Sequence, residues 1–314
     1  MAELRRDRVT GCLVLVAPGR ATRPHTVARA ATATRTPPRD CPFCPGNESM
    51  TPPEIARTGT GAPGEPGWRI RVFPNLYPFA GGSGAGPGAT GAHEVVVLSP
   101  DHNRSFAALR DDQASEVMHM LRERARVLAA DGHAYVQVLV NQGRAAGASI
   151  EHPHAQVIAL DFVPSAVETA LSRFGGGDAI VDDAVDAFER GHGLLDTHGV
   201  VRTWCPWGSI SPFEVRAAVA RGEPRFSDAR DDELGSIADA LRDVLARIAI
   251  ALDDPPYNVV VHTAPTKGNS PYHWWCQVVP RTSVIAGFEM GTGVLVNTVL
   301  PETAAEALRD AVPA

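Results

Sequence analysis

Between Tyr135 and Leu160 the chain carries the stretch that most restricts what it can fold into. Tyr135-Val136-Gln137-Val138-Leu139-Val140 alternates as a β-strand does. A loop of glycine, alanine and serine from Gly143 to Ser149 follows, and then His152-Pro153-His154-Ala155-Gln156-Val157-Ile158. In extended backbone, residues two apart share a face. His152, His154 and Gln156 therefore line up in a row, beside a small-residue loop whose backbone can approach an anion closely. Pro153 has no N–H to give to a strand ladder, so it belongs at a strand start or an unpaired edge.

The 314 residues suffice for one large or two ordinary domains. No apolar run reaches the length of a membrane span, and the first residues lack the apolar core of a secretion signal, so the expectation is a soluble cytoplasmic protein without membrane contact. A net charge of −7 argues against binding nucleic acid by bulk electrostatics. It leaves room for a local basic site that takes a phosphorylated small molecule. The five cysteines are odd in number, which speaks against a disulfide framework. Only Cys41 and Cys44 have the tight Cys-x-x-Cys spacing. Their flanking prolines favour a loop, whereas a thioredoxin-type dithiol should open a helix within a βαβ unit.

Leu13 to Val16, Arg69 to Phe73 and His93 to Leu98 read as strands, and Phe106 to Leu128 reads as a helix with Leu109, Val117, Leu121 and Leu128 on its apolar side. A similar plan recurs later: a strand start at Ser211 to Arg216, a helix over Asp231 to Leu252, a strand over Tyr257 to His262, a small polar loop, and a histidine-led strand from His273 to Pro280. The chain reads as a degenerate duplication, with one half at 1–165 and a second at 166–314. Helices after strands without regular βαβ alternation predict an α+β fold with antiparallel sheets.

Cys41 and Cys44 supply half of a tetrahedral site, and two histidines would complete it. His102 and His152 are the economical partners; His25, His93 and His133 compete. His154 is then free for chemistry. A neutral imidazole with one nitrogen held by a carbonyl offers the other as a nucleophile toward phosphorus, giving a phosphoramidate that a second nucleophile opens. Gln156 has no titratable proton, so it can hold a phosphoryl oxygen without protonating a leaving group. Arg20, Arg23, Arg144 and the 143–149 loop can neutralise phosphates.

Taken together, Arg6-Asp7-x-Val9-Thr10-Gly11, Cys41-Pro-Phe-Cys44, Phe73-Pro-Asn75, Ser99-Pro-Asp-His102, Asn141-x-Gly143, Gly147-x-Ser149, His152-Pro-His154-x-Gln156, Pro212-Phe213-Glu214 and Gly287-Phe288-Glu289 make a pattern that resembles galactose-1-phosphate uridylyltransferase, a family of the histidine-triad superfamily. The resemblance implies an α+β fold of two tandem histidine-triad-like halves, each an antiparallel sheet with packed helices. It also implies a ping-pong transfer in which His154 takes uridylyl from UDP-glucose and passes it to galactose 1-phosphate. By position, Cys41, Cys44, His102 and His152 match the ligands of one structural zinc, and Gln156 matches the family's active-site glutamine. Asn75 would contact the nucleoside, while Asn141, Gly147 and Ser149 would line the phosphate channel. Arg20 and Arg23 match arginines that a homodimer presents at the active site, and Glu289 matches a hexose-binding glutamate.

Two features depart from the family. Trp275 stands where some members carry a histidine of a second metal site, so that site is expected to be absent, with His262 and His273 left as structural polar groups. Thr282-Ser283-Val284-Ile285 offers no lysine for the sugar phosphate ahead of Gly287. The expected partners are nucleotide sugars and sugar phosphates. A uridylyltransferase acting between UDP-hexose and hexose 1-phosphate is the first reading. A phosphorylase that opens the nucleotidyl-histidine of an NDP-sugar or dinucleotide with inorganic phosphate is the second. An idle, zinc-stabilised nucleotide-binding protein is the third.

Overall fold

Val136, Val138 and Val140 alternate with Gln137, Leu139 and Asn141, and in the folded chain the three valines lie in the main apolar core while the intervening side chains face the other way. A computed structural model describes residues 2–22, 36–81, 90–197, 200–269 and 271–313. Its elements in chain order begin with β1 (Glu3–Arg6), β2 (Leu13–Val16), β3 (Ala56–Gly59), β4 (Trp68–Pro74), β5 (Gly91–Val97), α1 (Asp111–Ala130), β6 (Tyr135–Gln142) and β7 (His154–Leu160). Then come α2 (Ser165–Leu171), α3 (Ala179–Glu189), β8 (Gly193–Thr197), β9 (Val201–Trp204), β10 (Val215–Val219), α4 (Asp231–Leu252), β11 (Tyr257–His262), β12 (Trp275–Pro280), α5 (Gly287–Thr292), β13 (Leu295–Asn297) and α6 (Pro301–Asp310).

The class is α+β, as expected, but the two half-sheets are fused. Among the described residues, ten strands pair antiparallel in the order β3-β4-β5-β7-β6-β11-β12-β10-β9-β8. Strands β8 to β12 repeat the arrangement of β3 to β7 in mirror order, and the halves join where β6 pairs with β11, setting Asn141 opposite Asn258. Left apart, β6 and β11 would each expose a row of unpaired amides and carbonyls beside a valine-rich face; pairing removes both edges. A smaller sheet sets β2 between β1, antiparallel, and β13, parallel.

Helices α1 and α4 cover one face of the large sheet. The α4 stripe, Leu234, Ile237, Leu241, Leu245 and Ile248, is fully buried. Helix α1 begins at Asp111, five residues later than the apolar pattern suggests. Phe106–Ala108 forms a separate single turn, and Arg110, extended at φ −68 and ψ 158, breaks the two apart. Phe106 and Leu109 still reach the core, which is why the pattern read through the break. Glu289 lies in the short helix α5. No helix among the described residues is long and apolar enough to cross a membrane.

On the opposite face lie two smaller clusters. Phe43, Trp68, Phe73, Val95 and Val97 pack over β4 and β5, while α2 and α3 pack with Trp204, Tyr272 and Trp275 over the second half. Beneath that second cluster lies a buried charge network. Arg216 binds Asp7, Asp183 and Glu214 and lies over the Trp275 ring. Burial pushes the Glu214 carboxyl up to about 7, against the pull of Arg216. His262 stacks flat on Trp275, 3.9 Å between ring centres, and bonds Gln277, while His273 bonds Asp178. Both histidines are thus held by structural polar contacts.

Burial pushes His262 down to about 4. Its folded pKa is below the unfolded value, so its contribution to stability is intact above about pH 6.5 and is lost as pH falls from there toward 4. The urea midpoint is expected to drop over that window, and His262→Asn should flatten the slope. An unchanged slope in the variant would show that this imidazole is not the group that couples.

Candidate active site and metal centre

The Cys41–Cys44 segment closes on itself: Cys44 N–H donates to the Cys41 carbonyl, and the Asn47 side-chain amide donates to that same carbonyl at 2.8 Å. Both thiols are buried and point at His102, on the loop after β5, and at His152, just before β7. Cys44 Sγ lies 3.2 Å from His102 Nδ1 and 3.5 Å from His152 Nδ1, and Cys41 Sγ lies 3.7 Å from His152 Nδ1. Four ligands held at ~2.0–2.3 Å from one tetrahedral ion would stand roughly 3.3–3.8 Å apart, so the spacing fits a metal. The proton of His152 is fixed on Nε2, which donates to the Ser99 carbonyl at 2.8 Å and leaves the Nδ1 lone pair toward the sulfurs. Without a cation, burial and the neighbouring Cys41 push the Cys44 thiol up to about 12; a divalent ion would invert that balance and hold both as thiolates. This Cys2His2 group can hold a metal ion. The competing histidines are elsewhere: His93 contacts Gln156, His133 pairs with Asp161, and His25 lies outside the described residues.

His154 opens β7 directly beyond this cluster. Its Nδ1–H donates to the His152 carbonyl at 2.9 Å, and the ring is only 6% exposed. Burial holds its pKa below the ordinary histidine value, partly offset by that carbonyl. The imidazole is therefore neutral at pH 7, with its lone pair on Nε2, which has no hydrogen-bond partner among the described residues. The Phe43 ring, from between the two cysteines, packs edge-on at 5.2 Å from His154 and 6.3 Å from His152. One aromatic side chain thus ties the knuckle to the nucleophile candidate, a link its place in Cys-Pro-Phe-Cys hinted at and sequence reasoning passed over.

Gln156 follows on the same face, half-buried, its Oε1 2.7 Å from His93 Nε2. Asn75, just past β4, joins this group. Its Oδ1 accepts from Tyr77 N–H, and its Nδ2 is 3.1 Å from His93 Nε2. On the other side of His154, the Asn258 amide reaches across the junction between the halves to donate to Asn141 Oδ1 at 2.7 Å and to the Ala146 carbonyl at 2.8 Å. Asn141 Nδ2 is thereby left toward Gly147, where an added Cβ would stand 3.7 Å from it. Gly147 has φ +92, a conformation that favours glycine, and Ser149 beyond it is exposed. Asn258 was missed because nothing local marks it; only the β6–β11 register places it here.

Two predicted residues stand apart. Arg20 is exposed on the turn after β2, and among the described residues no hydrogen bond or ion pair joins its side chain to the others; Arg23 lies outside the described residues. The Glu289 carboxylate accepts from Ala286 N–H and so closes the start of its own helix.

A buried neutral imidazole, an amide beside it, a small-residue loop at a strand end and a closed Cys2His2 knuckle behind define the class as an enzyme of nucleotidyl transfer built on paired histidine-triad-type halves. Residues 85–164 match the family described as galactose-1-phosphate uridyl transferase, N-terminal domain. The chain is 32% identical to the ADP-glucose phosphorylase of Arabidopsis thaliana, over 98% of its own length and 92% of that protein's. It is 24% identical to the galactose-1-phosphate uridylyltransferase of Thermotoga maritima over 99% and 98% of the two chains. Its fold superimposes on the crystal structure of the Arabidopsis thaliana ADP-glucose phosphorylase with bound ADP-glucose at a TM-score of 0.85, 30% identity and 99% coverage of both chains. The chain belongs to the galactose-1-phosphate uridylyltransferase family.

Proposed function

We propose that this enzyme is a phosphorylase of ADP-glucose or a near relative of it, working through a nucleotidyl-His154. In the first step, His154 Nε2 attacks the α-phosphorus; the P–N bond forms, the bond from that phosphorus to the bridging oxygen breaks, and glucose 1-phosphate leaves. In the second, an oxygen of inorganic phosphate attacks the same phosphorus, the P–N bond breaks, ADP leaves and the imidazole is returned neutral. Gln156, Asn141 and the 143–149 loop donate to the phosphoryl oxygens, and Asn75 meets the nucleoside. Cys41, Cys44, His102 and His152 would hold one zinc ion, which suits a closed set of two sulfurs and two nitrogens. Their role would be structural: with an ion bound they would fix His152, whose carbonyl accepts from His154 Nδ1–H and orients that ring.

The observation that carries the choice of acceptor is full-length similarity to an ADP-glucose phosphorylase. The acceptor side agrees. Glu289 spends its carboxylate on its own helix, and residues 282–286 contain no lysine to bind a sugar phosphate. The uridylyltransferase reading is favoured by the family match and by the Thermotoga maritima relative. A homodimer fits the exposed Leu76, Tyr77 and Phe79 beside Asn75, and an exposed Arg20 is what an arginine serving a neighbouring subunit requires.

Intact-protein mass spectrometry tests the reading. ADP-glucose is expected to add an adenylyl group to the wild-type chain, and phosphate is expected to remove it as ADP. An adduct cleared by hexose 1-phosphate but not by phosphate would establish a transferase instead. No adduct from ADP-glucose, UDP-glucose or other NDP-sugars would leave a nucleotide-binding protein without transfer.

A further inference from the structure

We propose that His93, which no recognised motif of the chain includes, is a positioning residue that fixes which end of the Gln156 amide faces the transferred phosphoryl group. The inference rests on the nucleotidyl-His154 reading above. A glutamine amide is nearly symmetric in shape but not in chemistry: its NH2 can donate to a phosphoryl oxygen, whereas its carbonyl oxygen would repel one. Something must choose between the two orientations. His93 on β5 reaches across the β5–β7 pairing, where Val95 lies opposite Gln156, and places Nε2 2.7 Å from Gln156 Oε1.

The surroundings of His93 decide which atom carries its proton. Nδ1 is buried and has no hydrogen-bond partner. A proton there would be an orphaned buried donor, which is costly; a bare nitrogen there is tolerated better. Tyr77 N–H occupies Asn75 Oδ1, so Asn75 Nδ2, 3.1 Å from His93 Nε2, is a second donor; a proton on Nε2 gives up that contact and keeps the shorter one to Gln156 Oε1. Gln156 Oε1 is the acceptor left for the Nε2–H. The Phe79 ring, 4.6 Å away and tilted by 57°, flanks the imidazole. With its oxygen committed to His93, Gln156 has its NH2 left over for a phosphoryl oxygen held at His154, two residues away on the same face.

The second half supplies an internal contrast. Gln277 is to β12 what Gln156 is to β7, and Trp275 stands in the place of His154. Gln277 Oε1 contacts His262 Nε2 at 2.9 Å and its Nε2 donates to Glu214 at 2.7 Å, so both ends are used. In the half that lost its nucleophile the glutamine is locked at both ends. In the half that kept it, one end is held and no partner for the other stands among the described residues.

The test measures nucleotidylation of His154 in a single turnover, using ADP-glucose radiolabelled at the α-phosphorus, in wild type, His93→Phe, Gln156→Ala and the double variant. His93→Phe is expected to slow labelling about 10- to 100-fold, with donor affinity and melting temperature nearly unchanged, and His93→Gln, which restores an N–H donor, should recover most of the rate. In the Gln156→Ala background, His93→Phe should have no further effect, since it acts through that amide. An undiminished effect there, or none in wild type, overturns the inference while leaving nucleotidyl transfer intact. A wild-type chain that takes no label overturns the nucleotidyl reading, and the inference falls with it. Nitrogen NMR of the histidine-labelled wild-type protein needs no variant: the Nε2–H tautomer at His93 is expected, and the Nδ1–H tautomer would refute the assignment.

Discussion

Replacing His154 with alanine is expected to abolish the covalent nucleotidyl adduct and to lower turnover by at least about 10⁴-fold, the scale on which removal of an activated nucleophile acts. The loss should fall on the rate, because in the proposed reaction the ring contributes bond formation to phosphorus and little to holding the nucleotide. Rapid-quench labelling and donor titration together check this: no label with a nearly unchanged donor Kd. Label appearing on the variant at the wild-type rate would move the nucleophile to another side chain. The same group sets the pH dependence. Burial holds its pKa below 6.5 in the folded protein, so the nucleophilic neutral form persists as pH is lowered through that value. The single-turnover rate is therefore expected to stay level from pH 7.5 to about 6.5 and to fall only at lower pH.

Removing the proposed metal should have the second largest effect. Cys41→Ser, or extraction by a strong chelator, takes away a ligand set whose metal binding in small zinc domains amounts to ~10–16 kcal/mol. The main core closed by α1 and α4 is a cluster separate from that of the knuckle, so only part of that is expected in global stability. A fall in melting temperature of more than about 10 °C is expected, with metal content dropping from one per chain to none. Nucleotidylation should fall about 10- to 100-fold in the protein that remains folded, because Phe43 and the His152 carbonyl, which pack and orient the His154 ring, both belong to the knuckle. Full stability and activity in a metal-free protein would refute the structural role.

The local pieces of the site were legible because each is written in contiguous residues. The period-two alternation of β6, the proline that stops the ladder before His154 and the glycines that permit the 143–149 loop all act over a few residues. The Cys41–Cys44 turn and the α4 stripe belong with them. His102 and His152 could be favoured as the remaining ligands but not selected over His25, His93 and His133, since the distance between a loop after one strand and the start of another depends on how the strands pair. The same gap hid Asn258, which is 117 residues from Asn141 and adjacent to it in space.

By itself the sequence singled out the candidate side chains and what backbone each sits on: a histidine and a glutamine at every second position of a strand, a thiol pair in a turn, a small-residue loop. Steric and hydrogen-bonding rules acting within a few residues suffice for that. Tertiary structure alone decided the register that puts His93 against Gln156 and Asn258 against Asn141. It also decided the burial that keeps His154 neutral and the fusion of two half-sheets into one. Those depend on pairing between distant strands, whose free energy comes from apolar faces closing over α1 and α4 and from edges that no strand can satisfy on its own.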